Sequence, residues 1–231
     1  MNPSTKPVQH EFGRFHSNYT NMKGELRQEL TFNGERLVGI DISNSQPSIL
    51  PFILGRHIGE IRQTQEGGGS IVGEEFSADL DIKSEIQTVA LSLGVIFGSF
   101  YERVGVSLAP PITDRNMVKA LFFESLYGNL DTTKNSRIFK QIKKVSPPFA
   151  AAILDIKKDK HQELSHQLQQ VESQIVIEGC CRSLMQNFPS IPLLTVHDEI
   201  MTTKQFEGQV VIELQRAFFD TCGYFCALST G

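Results

Sequence analysis

The chain has 231 residues, 40% hydrophobic and 21% charged, an ordinary globular composition with room for one sizeable domain or two small lobes. Its formal net charge is −4, which excludes a large cationic field and leaves only local patches to meet a polyanion. No apolar run reaches membrane-spanning length, and the opening "MNPSTKPVQHEFG" lacks the apolar core of a signal peptide, so an intracellular (cytoplasmic) protein with no membrane partner is expected.

In chain order, residues 1–12 are polar and expected to be loose. "ERLVGIDIS" reads as a strand, with Val38, Ile40 and Ile42 on one face and Asp41 on the other. Pro47 and Pro51 then interrupt, followed by an apolar segment to Gly55. A stretch at about 65–74, with Gly67, Gly68, Gly69 and Ser70, has flexible-linker composition. It reads equally as a natural mobile loop or as an engineered replacement for a longer one. Residues 79–104 are helix-like and mostly apolar, and Pro110 and Pro111 break the chain after them. "DRNMVKALFFESLYGN", 114–129, predicts a helix capped by Asp114 and ended by Gly128 in the left-handed conformation. A polar helix is expected over 148–160, and a longer one runs until Pro189 stops it. "IPLLTVHDEIMTT" reads as two short strands around a turn at His197 and Asp198. An amphipathic helix at about 206–220 precedes "YFCALSTG". No internal repeat is present.

Four cysteines, Cys180, Cys181, Cys222 and Cys226, lack the paired spacing of a zinc site and suit buried thiols. His161 and His166 fall on a polar helix and read as surface residues.

The helix at 114–129 places Arg115, Lys119, Phe123 and Tyr127 four residues apart. Each step drifts about 40° around the axis and climbs about 6 Å, giving a stripe roughly 120° wide and about 18 Å long. Cations stand at the N-terminal end, where the helix dipole already favours an anion. Rings follow. A triphosphate joined to a sugar and a base has this order of charge and flat surface; a half-buried helix with solvated cations and core aromatics has it too. Two carboxylates bear on the choice: Asp41 at the end of an apolar strand and Asp198 on a hairpin tip beside His197 and Glu199. Such a pair can share two divalent cations, as in two-metal phosphoryl transfer.

Strand-Asp, then R-x3-K-x3-F-x3-Y-G, then "VHDE" resembles the palm and fingers of family A, or DNA polymerase I-like, DNA polymerases. The second and third motifs match in full. The first matches at Asp41 and Ser43, but Gln46 replaces the family's glutamate. "GRFHSNYT", 13–20, resembles the segment before the palm strand, and "LQQVESQ", 168–174, stands where the family has a Gln-bearing helix. The resemblance implies an α+β fold: a palm of antiparallel sheet with packed helices at about 13–60 and 160–231, and reduced helical fingers at about 75–159. With few residues before Asp41, neither the family's thumb nor its exonuclease fits.

The resemblance implies a template-directed nucleotidyltransferase, a DNA-directed DNA polymerase using two Mg²⁺ or Mn²⁺ ions. Asp41 and Asp198 would ligate the metals, with Glu199 supporting them. Arg115 and Lys119 would hold the triphosphate, Lys119 also acting on the leaving group. Phe123 and Tyr127 would shape the base and sugar pocket, and Gly128 would let the template approach. His197 and Gln169 would contact the primer end and minor groove, and Arg14 the backbone. Phe122 and Gln170 compete with their neighbours for these roles. Gln46 would gate the sugar's 2′ position less strictly than a glutamate. The implied partners are primer–template nucleic acid, nucleoside triphosphates and a protein supplying the missing grip. The competing readings are a metal-dependent phosphodiesterase and a non-catalytic module that binds nucleic acid or a partner.

Overall fold

The structure is a computed structural model that describes residues 8–9, 15–16, 19–65 and 83–231. In chain order its earlier elements are β1 (Val8–Gln9), β2 (Phe15–His16), α1 (Gly24–Arg27), β3 (Thr31–Phe32), β4 (Glu35–Ile42), α2 (Ser45–Gln65), α3 (83–92), α4 (Phe100–Ser107), α5 (Arg115–Tyr127) and α6 (Leu130–Asn135). There follow α7 (Arg137–Val145), α8 (Pro147–Ile156), α9 (Glu163–Ser173), a π-helical stretch (Gln174–Cys181), α10 (Arg182–Asn187), β5 (Leu194–Val196), β6 (Glu199–Thr203), a 3-10 turn (Lys204–Phe206), α11 (Glu207–Cys222) and β7 (Leu228–Thr230). The fold is mixed α+β with an antiparallel sheet, as the sequence implies.

The chain divides into two compact units, Met1–Ser45 with Gln169–Gly231, and Gln46–Leu168. The first carries the sheet, in the order β3-β4-β6-β5, with β7 also pairing with β4. Alternation works as expected on β4: Ile40 and Ile42 are buried and Asp41 between them is half-buried on the other face. Asn33 and Gly34, both at positive φ, turn β3 into β4 as an Asn-Gly hairpin does. On α11, Val210, Leu214, Ala217 and Phe218 are buried at helical spacing, and this helix packs on β4, β6 and the π-helical stretch. "YFCALSTG", to which the sequence gives no element, contributes β7, which lies against Ile40, Asp41 and Ile42.

The second unit is helical among its described residues. Here the sequence expectation needs three corrections. Pro47 and Pro51 do not interrupt: α2 runs from Ser45 to Gln65 through both. Pro47 sits in the first turn, where no intrahelical donor is required. Pro51 removes an internal bond at about 3 kcal/mol, but Ile49, Leu50, Ile53 and Leu54 around it are at most 1% exposed, each contributing about 1.5–3 kcal/mol on burial. The apolar stretch read as one helix over 79–104 is broken at 93–98, where Gly94 and Gly98 take positive φ. The helix expected over 148–160 is shorter, and apolar rather than polar: α8 buries Phe149, Ala150, Ala152, Ile153 and Ile156 behind its Ser146 cap. The linker composition at 65–74 falls almost wholly outside the described residues.

Candidate active site

In the first unit the β5–β6 hairpin turns on His197 and Asp198, with Val196 paired to Glu199. His197 has φ of 58°, which a two-residue turn with its first central residue left-handed demands and which glycine usually supplies. A non-glycine residue held there stores strain of about 1–3 kcal/mol, of the kind that collects at functional sites. The register continues across the sheet: β6 pairs with β4 so that Glu199 lies directly opposite Asp41. Directly opposed residues share a face, with Cβ atoms about 4.5–5.5 Å apart. The sheet thus sets Asp41 and Glu199 side by side, with Asp198 one residue away in the turn. Both aspartates are half-buried, and His197 is exposed.

Glu199 is held from two sides. Arg27 on α1 stands 4.0 Å from its carboxylate. Gly39, two residues before Asp41 on the same face, lies beneath it: a Cβ at position 39 would overlap Glu199 Oε1. The bare backbone there lets the carboxylate lie down along β4. Behind β4, Ser45 Oγ donates to Glu172 Oε1 at 2.7 Å, and Glu172 is 3% exposed. That bond ties the turn after Asp41, in which Asn44 has φ of 57°, to the end of α9. Gln169 on α9 is half-buried and Gln170 exposed. Among the described residues, no group of three or more His, Cys, Asp or Glu side chains is gathered closely enough to hold a metal ion. Arg14 lies outside the described residues.

In the second unit the stripe is carried by α5. The Asp114 carboxylate accepts from the backbone of Asn116 at 2.8 Å and Met117 at 3.3 Å, capping the helix as expected. Val118, Phe122 and Leu126 point into the core, where Phe122, 0% exposed, meets Phe100 and Tyr101 edge-on. This separates the adjacent rings: Phe122 is core, and Phe123 is half-buried on the stripe. Along the stripe Lys119 Nζ lies 6.0 Å from the Phe123 ring centre, and Phe123 lies 5.6 Å from Tyr127. Arg115 is already engaged, its guanidinium 3.1 Å from Glu102 and 5.0 Å over the Tyr101 ring. Gln46, 7% exposed, accepts the Tyr127 hydroxyl proton on Oε1 at 2.9 Å.

Gly128 does not end α5 in the left-handed conformation. Its φ is −66° and ψ is 169°, extended backbone leading into the Asn129 cap of α6. Glycine is required there for space: a Cβ would overlap Glu124 O and the Thr132 side chain. Sequence reasoning also missed Lys157, which is 1% exposed and donates from Nζ to the carbonyls of Leu126 and of Gly128, the latter at 2.8 Å. This is a cation capping the negative end of α5, and burial pushes its pKa down to about 8. Nothing in its local sequence distinguishes it from Lys158, which is exposed and pairs with Asp155 at 3.0 Å.

No family model and no curated protein matches the sequence. Among solved structures, the POL domain of Pol1 from M. smegmatis, in complex with DNA primer-template and dNTP, aligns at a TM-score of 0.35 and 15% identity. The alignment covers 87% of this chain and 40% of that one, so the chain spans well under half the length of the polymerase domain it is compared with.

Proposed function

We propose that the chain is a template-directed nucleotidyltransferase of the DNA polymerase kind, acting on a primed template with nucleoside triphosphates. The observation that carries this reading is the register that sets Asp41 beside Glu199 and one residue from Asp198. Asp41 and Glu199, from motifs lying far apart in sequence, are opposed on one sheet end, and Asp198 is the adjacent residue in the turn. The donors are all oxygen, which suits Mg²⁺ or Mn²⁺. Magnesium is usually held by one or two carboxylates together with substrate phosphates rather than by a full protein cage, so these residues fit such ions. Asp41 and Asp198 would hold two of them; bound there, the ions would supply charge stabilisation for the attacking 3′-hydroxyl and the leaving pyrophosphate.

The chain's own groups have separate tasks. Glu199, propped over Gly39, fixes the carboxylate face. Lys119 would neutralise the triphosphate and protonate the leaving group. Arg115 adds a second cation when it exchanges Glu102 for phosphate. Phe123 and Tyr127 present a flat surface to the base and sugar, and the Tyr127–Gln46 bond holds that surface in place. Such positioning and charge stabilisation are most of what phosphoryl transfer demands of a protein.

The test is a primed template with Mg²⁺ or Mn²⁺ and labelled nucleotides. Extension supports the reading, shortening would mean a phosphodiesterase, and no change a non-catalytic module. Asp41→Asn and Asp198→Asn should each lower extension by several orders of magnitude, on the order of 10³-fold or more. Extension surviving both substitutions would refute the site.

A further inference from the structure

The segment 132–154 contains Lys134, Arg137, Lys140, Lys143 and Lys144 and no aspartate or glutamate, in a chain whose net charge is −4. Most of it is α7, whose two sides differ sharply. At about 100° per residue, Lys140, Lys143 and Lys144 fall within roughly 100° of arc, and Ile138, Phe139 and Ile142 within roughly 100° on the opposite side. The apolar three are buried at 0–4% exposure, and α7 packs through them against α4, α5, α6 and α8. The three lysines are exposed, as is Lys134 on α6. Arg137 is not part of this face: it turns inward and donates to Pro110 O.

Several exposed cations elsewhere in the chain are paired with carboxylates: Arg56 with Glu60, Arg115 with Glu102, Arg182 with Glu178, Arg216 with Glu213 and Asp220. Lys23, Lys119 and Lys160 are exposed without such a pair among the described residues, but they stand apart in sequence rather than along one helix face. Among the described residues Lys134, Lys140, Lys143 and Lys144 take part in no such pair. Lys140 stands three residues from Lys143 and four from Lys144, so like charges face each other along the helix and repel. A face of this kind is relieved by a polyanion.

We propose that the exposed face of α7, with Lys134, is a phosphate-backbone contact for the nucleic acid on which the chain acts. The inference rests on the polymerase reading for its choice of partner. It adds a surface that none of the three motifs contains. Lysine ammoniums on flexible stems recognise charge without reading bases, so the contact is independent of sequence. It gives a net-acidic chain a local means of holding its substrate.

The test is binding of labelled single-stranded and duplex oligonucleotides of mixed sequence, across a salt range, by the full chain and by a K140Q/K143Q/K144Q variant. Polyglutamate serves as a non-nucleic polyanion. Three lost phosphate contacts should lower the slope of log affinity against log salt by about 2 for single strands and about 3 for duplex. Whichever of the two shows the loss is the form of strand the face holds. A K140R/K143R/K144R variant should keep the slope, and unchanged circular dichroism would show that all three chains are folded. An unchanged slope in the glutamine variant, with the parent chain still binding, overturns the inference. So does a parent chain that binds neither nucleic acid, or one that binds polyglutamate as tightly with the same loss in the variant, which would mark an acidic protein as the occupant. Primer extension by the parent chain, run alongside, reports on the polymerase reading separately.

Discussion

Lys157 offers a direct test of how α5 is held. Its ammonium is buried beneath the end of the helix, and its pKa is lowered from 10.5 to about 8 by desolvation. Below pH 8 the folded and unfolded chains both carry the proton, and the fold bears the full penalty of the buried charge. Between about 8 and 10.5 the unfolded chain holds a proton that the folded one has released, so stability rises with pH across that window. The shift corresponds to about 3 kcal/mol between its two ends. Buried thiols act in the opposite sense. Burial raises Cys226 to about 12 and raises Cys222 as well, so the folded chain keeps thiol protons that the unfolded one loses above 9. The stability they contribute fades as pH climbs. The lysine's effect must therefore be read as a difference between the chain and Lys157→Met. Methionine removes the charge and leaves Leu126 O and Gly128 O without their donor, which costs about 1–3 kcal/mol per carbonyl. Near pH 7 this loss and the relieved burial penalty largely offset each other. At pH 10.5 only the loss remains, and the parent chain should lead by about 3 kcal/mol more than it did at neutral pH. Urea unfolding of both chains at steps from pH 7 to 10.5, followed by circular dichroism, measures the gap. A gap that stays constant with pH would refute the reasoning.

Three further outcomes are expected. Gln46→Glu restores a charge-assisted acceptor for the Tyr127 hydroxyl and should sharpen the preference for deoxy- over ribonucleotides by roughly three- to tenfold, from about 0.5–1.5 kcal/mol. Competition between matched nucleotides measures it, and an unchanged ratio means Gln46 is not the gate. Gly39→Ala should push the Glu199 carboxylate off its seat and lower extension by about ten- to hundredfold with little change in melting temperature. Combined with Glu199→Gln it should cost almost nothing more, because the two act on one group; additive losses would mean that Gly39 does not act through Glu199. Gly128→Ala should destabilise the second unit by about 1–3 kcal/mol, seen as a lower urea midpoint; if the turn can relax toward Glu124 and Thr132, the midpoint will not move.

What could be read from the sequence is what short-range spacing encodes. Asp114 caps the helix because a cap is a contact between residues two and three apart. The alternation of β4 and the hairpin at His197 and Asp198 are local in the same way. Phe123 and Phe122 could not be told apart on paper, since adjacent residues on a helix differ by only 100° and the deciding contacts, with Phe100 and Tyr101, come from another helix. Gly128 ends its helix as the spacing predicts, but the need for glycine arises from crowding by Glu124 O and by Thr132 in the next helix, not from its own dihedral angles. The same holds for Gly39, whose significance lies in Glu199 on a neighbouring strand, and for Glu172, which has nothing to report until Ser45 is brought to it. Lys157 and Lys158 look alike in a string, and only burial separates them. The basic face of α7 was hidden by averaging, because a net charge says nothing about where its components stand.

The pairing of β4 fixes an order of assembly. The strand bearing Asp41 takes Glu199 on one side and Ser229 on the other, and both are made long after it. The helices of Gln46–Leu168 form a continuous stretch, with contacts near in sequence, so they can condense early. β4, meanwhile, has β3 beside it only at Glu35 and Arg36; the rest of both edges stays open, an apolar alternating strand ready to pair with any other extended chain. Yield from a cell should therefore depend on the interval between synthesis of the strand and arrival of its partners: slower elongation lengthens exposure, and a chaperone that shields extended apolar segments shortens it.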